Sequence, residues 1–69
     1  MRFKYKDKVR ILNKEFVNFY EPDEGFILNY KWVKDAYIYE VLVKFADPLN
    51  KETIFRKFEF EDYELEKLI

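Results

Sequence analysis

The chain has 69 residues, a net charge of −1 and neither cysteine nor histidine, which allows one domain with one small core and no disulfide framework. Its 49% hydrophobic and 22% aromatic content excludes disorder despite 39% charged residues, because large rings bury much area per residue ordered. The near-neutral balance argues against a whole-molecule attraction to nucleic acid or an acidic membrane, no apolar run reaches the roughly 18–20 residues of a bilayer span, and a soluble cytoplasmic protein is expected.

Read along the chain, residues 2–12 alternate charged and apolar side chains. Arg2, Lys4, Lys6, Lys8 and Arg10 take the even positions, and Phe3, Tyr5, Val9 and Ile11 the odd ones. A period of two predicts a first strand with one wet face. Asp7 interrupts the apolar series and marks a turn that places the strand start near Lys8. Residues 13–24 have no clean period; Phe16, Val17, Phe19 and Tyr20 are mixed with Asn and Glu, and the stretch reads as a long aromatic loop ending in the Glu21–Gly25 turn.

A second strand is expected over 25–33, with Phe26, Leu28, Tyr30 and Trp32 on one face. Lys34-Asp35 forms the hairpin turn. A third strand over 36–46 is apolar on both faces, as a central, bent strand would be. Asp47-Pro48-Leu49-Asn50 turns the chain. A fourth strand covers 53–60. At Glu61-Asp62-Tyr63 the alternation slips by one residue, as a short 3₁₀ turn would cause, and 64–68 forms a last strand. A terminal helical turn over 61–69 is the rival reading. Glu59, Glu61, Glu64 and Glu66 make the C-terminal end acidic, so it suits the basic first strand as a sheet neighbour. The expected core is Val9, Ile11, Phe26, Leu28, Val41, Val43, Phe58 and Leu65. The lone glycine, Gly25, leaves the positive-φ positions of turns to Asn and Asp.

The order of these pieces resembles a known plan. Tyr5-Lys6-Asp7-Lys8-Val9-Arg10-Ile11 resembles the opening "GDKVRI" of small SH3-like barrels, KOW and Tudor-type modules included. Glu24-Gly25-Phe26-Ile27 resembles the start of their second strand, Tyr39-Glu40-Val41-Leu42-Val43-Lys44-Phe45 the third, and Phe60-Glu61-Asp62-Tyr63-Glu64-Leu65-Glu66 the closing turn and strand. The resemblance implies an all-β fold: a five-stranded, SH3-like antiparallel barrel with a short 3₁₀ turn before the last strand, filling residues 1–69. The chain departs from that plan at Lys6, where a glycine is usual, and lacks the KOW loop glycines. It also lacks the signature of proline-rich peptide binding. Small barrels of this look are frequent among phage and mobile-element accessory proteins, inhibitors of bacterial defence proteins included, and the resemblance implies that class by analogy.

The chemistry available is narrow. With no His, Cys, Ser or Gln, the usual general base, two common nucleophiles and the soft metal ligands are missing. No cofactor or metal is expected. Two carboxylate groups, Glu21, Asp23, Glu24 and Glu61, Asp62, Glu64, read as solvated turns. A non-enzymatic binding module is therefore expected, acting through a protein–protein surface. Its centre is placed at Tyr30, Trp32 and Tyr37 near the hairpin tip, with Lys31 and Lys34 at the rim, because exposed Trp and Tyr are favoured interface anchors. Phe16, Phe19 and Tyr20 form a second candidate patch. The alternative is a nucleic-acid module using Arg2, Lys4, Lys6, Lys8 and Arg10 beside exposed rings. A homo-oligomer with an aromatic self-interface is a third reading.

Overall fold

The computed structural model describes residues 2–68. Five strands form one antiparallel sheet: β1 (Lys8–Ile11), β2 (Glu24–Val33), β3 (Ala36–Ala46), β4 (Thr53–Glu61) and β5 (Leu65–Lys67), in the order β4-β3-β2-β1-β5. A 3₁₀ turn at Asp62–Glu64 leads into β5, where the slip in alternation placed it, and among the described residues no terminal helix forms in its stead; Ile69, the last residue of that rival reading, lies outside them. The sheet is open, not a closed barrel: β4 and β5 are its two rims and do not pair.

The expected first strand shortens to Lys8–Ile11. Ahead of it the chain turns at Tyr5 and Lys6, with Lys6 at φ 73°. Asp7 stabilises this turn, its Oδ2 accepting from the Lys4 backbone N–H at 3.0 Å. The Lys6 N–H donates to the Ile27 carbonyl at 2.8 Å, which folds Phe3 back onto the core. The acidic end lies beside the basic start as the charge pattern required: β1 pairs antiparallel with β5, Arg10 stands opposite Glu66, and their side chains meet at 3.5 Å.

The stretch expected to be a loop is a helix, α1 (Lys14–Tyr20). Asn13 caps it, its Oδ1 accepting from the Phe16 N–H at 3.0 Å. Glu21 ends it at φ 79°, and Pro22 prevents its continuation. Seven residues are too few for helicity from propensity alone, so the helix depends on packing. Phe16 and Tyr20, one turn apart, supply that packing. Phe16 lies edge-on to Phe58 and Phe60 at 4.7 and 5.1 Å, and Tyr20 edge-on to Phe45 at 4.7 Å.

The buried core is Phe3, Val9, Ile11, Ile27, Tyr39, Val41, Val43, Phe45, Phe60 and Leu65. Three expected members, Phe26, Leu28 and Phe58, fall outside it. Phe26 is 48% exposed on the outer face and Leu28 is only half-buried, while Ile27 takes the core position. Phe58 is half-buried beneath α1. The inward phase of β2 is set by Gly25 and Ile27. A Cβ built on Gly25 would lie 2.6 Å from Val41 Cγ1 and 2.7 Å from the Leu42 carbonyl oxygen, so β2 approaches β3 where only glycine fits. That glycine has no positive φ. Among the described residues the left-handed positions are Lys6, Glu21, Lys34, Asp35 and Lys51, so of the residue types expected there only an Asp serves, once.

Candidate functional site

Beyond the core, β2 and β3 continue as a two-stranded hairpin. β1 reaches β2 only as far as Phe26, and β4 reaches β3 only as far as Ile38. The pairs Lys31–Ile38, Trp32–Tyr37 and Val33–Ala36 therefore have no third strand beside them except at Ile38. The molecule is correspondingly long, 38 × 21 × 19 Å.

Which face the hairpin aromatics occupy is decided by one residue. Ile27 stands opposite Val41 and Asn29 opposite Glu40, so Leu28 is an extra residue on β2. This β-bulge reverses the alternation. Before it, odd residues face the core; after it, even ones do. Tyr30 then pairs with the buried Tyr39, and Trp32 with Tyr37. Asn29 supports the bulge by accepting from the Tyr30 N–H at 2.8 Å. The hairpin closes over Lys34 and Asp35 with φ of 48° and 65°. A two-residue loop with both φ positive is a type I′ turn, whose twist matches the strands it joins.

The result is a ladder of rings on the core-side face. Trp32 lies edge-on to Tyr37 at 4.6 Å, Tyr37 lies 5.7 Å from Tyr30, and both tyrosines stand 6.2–6.4 Å from Tyr39. Exposure rises along it: Tyr39 is at 0%, Tyr37 is half-buried, Tyr30 is at 46% and Trp32 at 58%. Tyr39 anchors the ladder. It packs edge-on against Phe3 at 5.0 Å, and its hydroxyl donates to Asp62 Oδ2 at 3.4 Å. Burial holds that hydroxyl's pKa above its ordinary value. Backbone hydrogen bonding at Phe3 and Arg2 opposes the rise, and the Asp62 carboxylate adds to it.

The structure brings Tyr30, Trp32 and Tyr37 together and separates Lys31 from them. Lys31 points to the outer face, where its Nζ meets Glu59 Oε2 at 2.9 Å. Lys34 sits exposed at the turn. The second aromatic set divides: Phe16 and Tyr20 close one side of the core, and Phe19 alone is exposed, at 63%. The basic series is not one stripe. Arg2 is 3.0 Å from Asp62, Lys8 is 3.2 Å from Glu24, and Arg10 lies 3.6 Å from Asp23 as well as near Glu66. Lys6 lies in the turn, its Nζ 5.5 Å from the Tyr5 ring centre. Of the two acidic clusters, Asp23, Glu24 and Asp62 are held by these same pairs. Glu61 and Glu64 form a reciprocal cap on the 3₁₀ turn, and Glu64 Oε2 also accepts from Asn13 Nδ2 at 2.7 Å. Among the described residues no group of three or more acidic side chains is placed to hold a metal ion.

Comparison with protein-family models, with curated proteins and with solved structures finds no match. Among the described residues no helix is long and apolar enough to cross a membrane. A further surface, not apparent from the sequence, is an outer-face depression lined by Phe26, Leu42, Phe55 and Pro22 between Lys8 and Lys44. Its signal is Phe26, which a β2 of unbroken alternation turns to the interior, together with Leu42 on the second apolar face of β3.

Proposed function

We propose that the chain is a small non-catalytic binding module of SH3-like plan that takes a protein partner through the aromatic end of its β2–β3 hairpin. One observation carries the reading: Tyr30, Trp32 and Tyr37 stand as a braced ladder on a hairpin that outruns the rest of the sheet. Rings held by edge contacts lose little freedom when covered, which is why Trp and Tyr serve as anchors at the centres of interfaces. The meander β1-β2-β3-β4, with β5 returning beside β1, supports the SH3-like plan. The engaged state of Arg2, Lys8 and Arg10 weighs against the nucleic-acid alternative, because a paired cation must give up its carboxylate to take a phosphate.

The test is capture of a partner from an extract of the source cell by immobilised wild-type chain and by Trp32→Ala. The variant should keep its circular dichroism spectrum and bind the captured protein about 30-fold more weakly, the equivalent of about 2 kcal/mol. A folded Trp32→Ala chain that binds as well as wild type would refute the hairpin reading. Salt-dependent retention of an oligonucleotide, abolished by charge reversal of Lys4 and Lys6, would favour the alternative.

A further inference from the structure

β4 is one rim of the sheet. Among the described residues its backbone bonds to β3 alone, over a register unbroken from Thr53 to Glu61. Its other side therefore presents a row of outward N–H and C=O groups along nine residues without a proline or a bulge. The opposite rim, β5, has only three residues. A rim this long is a template for another strand unless its side chains forbid pairing. Here their order does more than permit it. Arg56 and Lys57 precede Phe58; Glu59 and Glu61 follow it.

From this order we infer that β4 pairs with the β4 of a second copy, antiparallel about a two-fold axis through Phe58, so that two five-stranded sheets run on as one. In this register Lys57 of each chain stands directly opposite Glu59 of the other, twice, on the outer face. Unlike charges directly across strands stabilise and like charges destabilise. Neighbouring registers do worse by the same rule. Centring the axis one pleat earlier sets Lys57 against itself; one pleat later sets Lys57 opposite Glu61 twice but Glu59 against itself, a smaller net attraction. The charges thus favour one symmetric arrangement over slipped ones, the isologous contact that closed dimers require.

The inner face agrees. Phe58, half-buried in the single chain, falls on the axis against its own copy, an aromatic pair of the kind that stabilises antiparallel neighbours. Beside the rim an open groove runs between α1 and β4, with Phe16, Phe19 and Phe58 in its wall. Pairing at β4 places the two grooves side by side, which gives the exposed Phe19 ring a covering surface. This interface uses none of the three hairpin rings; Glu59 also holds Lys31 of the hairpin at 2.9 Å and shares its carboxylate between Lys31 and the second copy's Lys57.

The experiment is sedimentation equilibrium of the whole chain, with circular dichroism as a control for folding. Wild type should dimerise. Lys57→Glu and Glu59→Lys should each weaken the dimer about tenfold or more, since each turns two attractive cross-strand pairs into repulsive ones. Mixed in equal amounts, the two variants should restore association as a heterodimer, because each then supplies the charge that the other lacks. Trp32→Ala should leave the dimer intact. A wild-type chain that stays monomeric at a concentration of about 1 mM, where only contacts weaker than about 4 kcal/mol fail, overturns the inference and leaves the rim to an extended segment of another protein. A dimer insensitive to both charge variants, or one lost in Trp32→Ala, overturns it too and moves self-association to the hairpin.

Discussion

Gly25 is the residue on which the phase of β2 turns. Its role is space, not φ: any side chain there meets Val41 Cγ1 and the Leu42 carbonyl oxygen within 2.7 Å. The valine methyl can yield, but the carbonyl belongs to the central strand and cannot. Gly25→Ala should therefore destabilise the chain by about 1–3 kcal/mol through overpacking. Urea denaturation measures this loss, and combining the change with Val41→Ala should cost less than the sum of the two, because the second substitution removes one of the clashing atoms. An Ala variant as stable as wild type would mean that β2 and β3 stand farther apart at this point. Asn13 works at the same scale by joining two elements. It caps α1 with its oxygen and holds Glu64 with its nitrogen, so one side chain ties the helix start to the turn before β5.

The elements differ in how openly the sequence announces them. β3 and β4 run within a residue of where alternation sets them, and the Lys34-Asp35 turn was legible from its flanks. α1 was not, because a seven-residue helix offers only one repeat of the Phe16–Tyr20 spacing and its packing partners, Phe58, Phe60 and Phe45, are far away in sequence. Its one local signal was Asn13 ahead of an apolar pair. The bulge at Leu28 was hidden as well: four large apolar residues at even positions look like one face until an extra residue divides them. The grouping of Tyr30, Trp32 and Tyr37 was nonetheless readable from the hairpin, while the position of Lys31 was not, since it depends on the phase that the bulge sets. At this scale the turn is the testable part. Left-handed backbone costs an L-residue about 1–2 kcal/mol, and Lys34 and Asp35 both adopt it. The pair Lys34→Asn with Asp35→Gly should stabilise the hairpin by about 1 kcal/mol, seen as roughly fivefold slower amide exchange over residues 31–38. Unchanged exchange would show that the turn does not limit the hairpin's stability.

Across the whole molecule, charge ties the two ends of the chain to the sheet between them. Lys8 meets Glu24 of β2, and Arg10 is shared by Asp23 and by Glu66 of β5. These side chains are partly exposed, so each pair contributes only about 0–1 kcal/mol. Reversing Lys8 and Arg10 together to Glu replaces all three attractions with repulsions. Thermal denaturation should show a modest loss of stability at low salt that shrinks as salt is raised. A loss independent of salt would point to lost packing of the two aliphatic stems instead.

The projection of the hairpin past the core has a consequence for anyone who follows this protein's unfolding. Trp32, the sole tryptophan, lies on the two-stranded part of the molecule and reports on its own surroundings. An isolated two-stranded ribbon is marginal in water and opens more readily than the body that carries it. Intrinsic fluorescence will therefore follow the loosening of one arm, while far-ultraviolet dichroism follows the loss of the sheet. Their transitions need not coincide, and a gap between them marks local opening of the arm, with the fluorophore outside the cooperative unit of the sheet.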